Sequence, residues 1–101
     1  MAMTLKAVTS CLGYQQITSL SSATGLTVPT TDKSGNKQQP TFALIIAEDQ
    51  PVRWRDDGTD PTASVGMVLP VNVPLQYDGD LTRIKFIQTA ASAKLNISYY
   101  A

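Results

Sequence analysis

Histidine is absent from this chain, cysteine occurs once, and charged side chains make up only 16% of its 101 residues. Without histidine there is no side chain that ordinarily titrates near neutrality and no imidazole to ligate a metal. Ser-His-Asp and Cys-His arrangements are therefore excluded, and a zinc site is disfavoured because only carboxylates and one thiol remain. The lone Cys11 makes no intrachain disulfide and no cysteine cluster. It is expected to pack as a small buried or half-buried hydrophobe. No apolar run approaches the roughly 18 residues of a membrane span. The opening MAMTLKAVTS lacks the basic start and long apolar core of a signal peptide. The expected setting is a reducing cytosol, or a larger assembly built there.

Charge is scarce and also balanced. Eight basic residues oppose eight acidic ones, so no net field steers the chain to nucleic acid or to an anionic membrane. The same balance removes the repulsion that keeps copies of a small protein apart. Average soluble domains carry roughly 25% charged residues; here Thr, Ser, Gln and Asn take that place. Such a composition suits sheet faces better than solvated helices.

What is present reads as strand. One domain spanning residues 1–101 has room for a real core. TFALIIAE (Thr41 to Glu48) is a β-rich apolar run closed by EDQP. In VRWR, Val52 and Trp54 share one side and Arg53 and Arg55 the other. SVGMVLP is a short apolar strand ended by Pro70. VPLQY leads into DGD, where Asp78-Gly79 predicts a tight hairpin turn with Gly79 at positive φ. LTRIKFIQ sets Leu81, Arg83, Lys85 and Ile87 against Thr82, Ile84, Phe86 and Gln88. AKLNISYY sets Leu95, Ile97 and Tyr99 against Lys94, Asn96, Ser98 and Tyr100. The first forty residues are softer: TLKAVTS is a possible strand, a second is expected around Gln15 to Leu20, and a short extended piece runs to Pro29. Residues 29–40 form a polar loop bounded by prolines, near the length at which loops are functional or mobile. No helical stripe of three or four turns occurs. The expected fold is all-β: an antiparallel β-sandwich or small jelly-roll of seven or eight short strands.

Several side chains invite a chemical reading. Asp56, Asp57 and Asp60 are clustered as calcium ligands often are, yet DDGTDPT lacks the alternating register and distal glutamate of a calcium loop. A strand end followed by an Asx-type turn, with Gly58 in the left-handed region, fits better. Asp78 and Asp80 flank a turn glycine, where paired carboxylates ordinarily face water rather than act on glycosides. Arg53 and Arg55 on one strand and Arg83 and Lys85 on another make a basic stripe if the strands are neighbours. The stripe either pairs with nearby aspartates or presents a protein interface. Trp54, opposite the arginines, is expected in the core. Of Tyr99 and Tyr100, one packs inward and the other, Tyr100, is exposed as an interface anchor or an edge cover. The candidate interface residues are thus Arg53, Arg55, Arg83, Lys85 and Tyr100. No catalytic, cofactor or metal site is assigned.

ALIIAEDQPVRWRDDGTDPTASVGM, followed by LQYDGDLTRIKFIQTAASAKLNISYYA, resembles a group of small proteins encoded among the structural genes of tailed bacteriophages and prophages. The shared pattern is an RWRDDG segment, an apolar strand after a glycine, a YDGDL turn, and a closing KLN-x-SYY. It covers Ala43 to Ala101; ahead of it only ITSLSSATGLTVP is similar. The resemblance implies a non-enzymatic virion structural protein. Small β proteins of this kind serve as decoration (cement) proteins bound in many copies to the head, or at the neck, collar or tail. It implies the major capsid protein or another virion protein as partner, homo-oligomerisation, no nucleic acid or membrane contact, and location in a virion assembled in the host cytoplasm. The TDKSGNKQQ loop looks like an insertion and is a candidate contact. A second reading is a carbohydrate- or receptor-binding module, for which Tyr77, Asp78 and Asp80, with Trp54 exposed beside them, would be the required platform.

Overall fold

The computed structural model describes residues 9–101. Its regular elements there are eight strands: β1 (Cys11–Ile17), β2 (Thr24–Gly25), β3 (Phe42–Glu48), β4 (Val52–Arg55), β5 (Met67–Leu69), β6 (Leu75–Tyr77), β7 (Lys85–Gln88) and β8 (Lys94–Tyr100). Strand β1 pairs with β8, β2 with β7, β3 with β6 and β4 with β5, all antiparallel. That is one long hairpin whose tip lies between β4 and β5. Rolling the hairpin brings β3 against β8 and β4 against β7. Two four-stranded sheets result, ordered β1-β8-β3-β6 and β2-β7-β4-β5. This is the eight-stranded jelly-roll sandwich anticipated from the strand pattern.

Period-two alternation sets the core. Ala43, Ile45 and Ala47 of β3 and Leu95, Ile97 and Tyr99 of β8 face inward from the first sheet. Val52, Leu69 and Phe86 face them from the second, with Leu20, Leu81 and Ile84 filling in from the connections. The Tyr99 hydroxyl donates to Gln15 Oε1 at 2.8 Å, and the Thr27 amide donates to the same oxygen at 3.1 Å. Burial pushes the Tyr99 phenol up to about 12. A polar residue thus faces inward on the edge strand β1 and is satisfied there.

Several expectations change. The strand placed at Gln15 to Leu20 runs instead from Cys11 to Ile17, and Leu20 is buried from the connection beyond it. Most of TLKAVTS lies outside the described residues, and the extended piece before Pro29 shrinks to Thr24–Gly25. Cys11 is exposed rather than packed away, its Sγ 3.5 Å from Ser98 Oγ, because the outward side of edge strand β1 has no strand beyond it in this sheet.

Asp78-Gly79 makes no hairpin. It opens a crossover from β6 in one sheet to β7 in the other, and Gly79 does not take a positive φ. Glycine is needed there for space, since an added Cβ would run into the Tyr77 hydroxyl and ring. Asp80 shapes the crossover by accepting from the Thr82 amide at 2.9 Å and the Thr82 hydroxyl at 2.6 Å. The hydroxyl first, then the amide, holds the Asp80 carboxyl below its usual range. This turn takes in residues 81–83, so strand β7 begins only at Lys85. The expected alternation holds from Ile84 on, with Ile84 and Phe86 buried and Lys85 exposed. Leu81, expected on the side of Arg83 and Lys85, is buried and Thr82 is exposed, because the turn breaks the period of two.

Candidate functional site

Strand β4 turns Val52 into the core and Arg53 and Arg55 outward, as the alternation requires. Its neighbour β7 places Lys85 directly across from Arg55 and Ile87 across from Arg53. The basic stripe therefore exists on two adjacent strands for Arg53, Arg55 and Lys85, while Arg83 stands in the turn ahead of β7. What lies against it is the chain itself. Residues 56–66 bind back to the stripe instead of leaving it bare.

Each cation meets a different part of that loop. Arg53 donates through Nε to the Ala63 carbonyl at 3.1 Å and through Nη1 to the Gly66 carbonyl at 2.8 Å. Arg55 grips Asp57 with two parallel bonds, Nε to Oδ1 at 3.0 Å and Nη2 to Oδ2, the fork geometry that suits a carboxylate. These bonds chiefly hold the Asp57 carboxyl down at about 2, and they raise the Arg55 guanidinium above its ordinary value. Lys85 Nζ reaches Asp60 Oδ1 at 3.1 Å. Arg83 lies over Gly58, where an added Cβ would stand 2.6 Å from Nη2. Gly58 takes φ +87°, the left-handed position expected for it.

The loop has its own internal order. The Thr62 amide donates to the Val65 carbonyl at 2.9 Å, and Thr62 Oγ1 accepts from the amides of Ser64 and Val65. Pro61 is buried beneath it. Gly66 allows a close approach, since a Cβ there would lie 3.1 Å from the Trp54 carbonyl oxygen and 3.3 Å from Pro61 Cβ.

The three loop aspartates diverge. Asp57 goes to Arg55, Asp60 to Lys85, and Asp56 Oδ2 accepts from the Tyr77 hydroxyl at 2.6 Å. Among the described residues no three histidine, cysteine or carboxylate groups converge as metal ligands. Asp78 and Asp80 flank the crossover, and both are exposed.

The Tyr77–Asp56 bond has no counterpart in the sequence reading, since the partners are 21 residues apart. It ties the β6 edge of one sheet to the end of β4 in the other. The Trp54 ring meets the Tyr77 ring edge-on at 5.8 Å and 68°. Tyr77 is buried at 7% exposure, and that burial, followed by the bond to Asp56, raises its phenol above the ordinary value. Trp54, expected in the core, is half-buried at the core's margin. Beside it Val65, Met67, Asp56 and Asp57 outline a shallow cavity of about 260 Å³. The paired exposed aromatics required for a carbohydrate platform are not formed, because Tyr77 is covered.

Tyr100 lies elsewhere. It is half-buried rather than fully exposed, and it sits on the outer face of the β1-β8-β3-β6 sheet, its ring stacked on Phe42 at 5.1 Å and 14°. The five candidate interface residues thus fall on opposite sides of the sandwich: Arg53, Arg55, Arg83 and Lys85 around the loop, Tyr100 on the far face. The proline-bounded segment 29–40 folds into a small hairpin of its own. Thr31 bridges Lys37, and Asp32 Oδ1 accepts from the amides of Ser34 and Asn36, both at 2.9 Å. Compared with protein-family models, with characterised proteins and with solved structures, the chain finds no match in any of the three.

Proposed function

We propose that this protein is a non-enzymatic structural component of a tailed-phage virion, a decoration protein that binds the outer surface of the head in many copies. The observation that carries the reading is the internal use of its most distinctive segment. In RWRDDG every charged side chain is engaged within the fold: Arg53 on loop carbonyls, Arg55 with Asp57, and Asp56 on Tyr77. A signature whose chemistry is consumed by holding a loop to a sheet belongs to a scaffold rather than to a reaction centre. The jelly-roll also occurs among viral capsid and lectin domains, an analogy at the level of fold. The partner is the major capsid protein or another virion protein, and repeated weak contacts across a symmetric lattice supply the retention.

Counting copies of the chain in purified particles tests this. Copies on the order of hundreds on the head match a lattice-bound decoration protein, whereas about a dozen or fewer would move the protein to the neck, collar or tail. Absence from particles would overturn the virion reading altogether.

A further inference from the structure

Charge avoids the four edge strands of this sandwich. Residues 7–31, which hold β1 and β2, and residues 61–77, which hold β5 and β6, contain no Asp, Glu, Lys or Arg. These are the terminal strands of the two sheets, so among the described residues no strand meets their outer N–H and C=O groups. Sheet edges are ordinarily guarded by charge, lysine above all, because such groups template pairing with another chain. The exposed large apolar side chains gather on the same segments: Tyr14 on β1, and Val65, Met67, Val68 and Val73 in and around β5.

The edges form two opposite sides. Tyr77 of β6 meets Trp54, the residue paired with Met67 of β5, and Gln15 of β1 accepts from the Thr27 amide just past β2. The rungs of the two sheets link these sides. Tyr14, Ser98, Leu44 and Gln76 share one rung, and its two ends, Tyr14 and Gln76, are exposed. Thr24, Phe86, Trp54 and Met67 share another. Phe86 and Trp54 turn toward the core, yet Met67 on their side of the sheet is 59% exposed. The core is therefore open where β5 ends the sheet.

We infer that the β5/β6 side docks on the β1/β2 side of a second copy, head to tail, so that each sheet continues into its neighbour. Strand direction points to that occupant. Strands β1 and β3 run one way and β8 and β6 the other; β2 and β4 likewise oppose β7 and β5. A copy set beside the first in the same orientation thus places its β1 antiparallel to β6 and its β2 antiparallel to β5. The same step brings Gln76 beside the neighbour's Tyr14, both on the outer face, and Met67 beside the neighbour's Thr24. A two-fold axis would pair one side with itself and leave the other uncharged side bare, whereas one head-to-tail contact covers both. Repetition closes a ring or runs on as a fibre according to the rotation at each step.

The contact deepens the decoration reading by naming how copies meet, and rests on that reading for its purpose only. Its test uses the isolated protein with no particle present, so either can fail alone. Sedimentation of the wild-type chain from about 1 μM to about 1 mM should show assembly beyond a dimer. Met67→Lys charges one side and Tyr14→Lys the other; both side chains are exposed, so the monomer should keep its fold. Each should weaken assembly at least about tenfold.

Mixing the two variants leaves one intact junction, between the β1/β2 side of Met67→Lys and the β5/β6 side of Tyr14→Lys. The mixture should form a heterodimer and nothing larger. Gln76→Lys, at another exposed position, takes the place of Met67→Lys if that variant does not fold. A wild-type chain that stays monomeric, or that stops at a dimer, would overturn the inference. So would a single variant that assembles like the wild type, or a mixture that stays monomeric.

Discussion

The two outer faces of the sandwich are built from the same alternation yet end differently. On the β2-β7-β4-β5 sheet the outward residues include Arg53, Arg55 and Lys85, and the chain's own 56–66 loop bonds to all three, Lys85 staying exposed. On the β1-β8-β3-β6 sheet they include Phe42, Leu44, Ile46 and Tyr100, with polar neighbours tied across the strands. Asn96 accepts from Tyr14 and Gln16 and donates to Glu48 Oε1 at 2.9 Å. Cations on a sheet face find carbonyls and carboxylates within a short loop; apolar side chains need an apolar layer. A hairpin loop of about ten polar residues supplies the first and not the second.

The difference is open to attack at its largest joint first. Tyr77 links the two sheets, so Tyr77→Ala should cost about 3–5 kcal/mol, as truncating a buried aromatic does, and lower the melting temperature by at least about 12 °C. Tyr77→Phe keeps the ring and should cost about 1.5–3 kcal/mol for the lost bond to the Asp56 carboxylate. Equal losses for the two variants would mean that the hydroxyl, not the ring, joins the sheets.

Next comes the covered face. Arg53→Ala should cost about 1.5–3 kcal/mol, the range for hydrogen bonds from a charged group, and should open the 56–66 loop to limited proteolysis. A loop as resistant as in the wild type would show that Pro61 and the ion pairs hold it unaided.

On the other face, Leu44→Thr should cost about 1 kcal/mol in stability, because the side chain is only partly buried. A loss of about 2–5 kcal/mol would show Leu44 to be core.

The smallest effects concern the loop carboxylates. Asp57 is depressed to about 2 in the fold and returns to about 4 when unfolded. Its contribution is therefore present above about pH 4 and lost as the pH falls toward 2. Both partners are partly exposed, so the acid step should be slight and should vanish in Asp57→Asn. Calcium should leave the melting temperature unmoved, since all three loop aspartates already accept from protein donors; a rise with concentration would reveal a cation site.

How much of this was legible before any coordinates depends on the range of the interaction. Alternation in VRWR and AKLNISYY announced which side of each strand is inward, and Val52, Leu95, Ile97 and Tyr99 lie where that pattern puts them. Gly58 at positive φ followed from turn chemistry within four residues. Asp78-Gly79 carried the same local signal, but there the chain changes sheets, and the glycine answers to the Tyr77 ring rather than to φ. Cys11 was assigned by residue type alone, and its place on an edge strand decided otherwise.

By itself the sequence determined a β protein of short antiparallel strands without histidine-based chemistry, because strand periodicity and residue inventory are local properties. Only the tertiary structure decided that the hairpin rolls up with β4 beside β7, that the basic stripe is bonded by its own loop, and that the bulkier apolar side of β3 faces out. Those outcomes depend on contacts between residues tens of positions apart, which the spacing of residues along one strand does not encode.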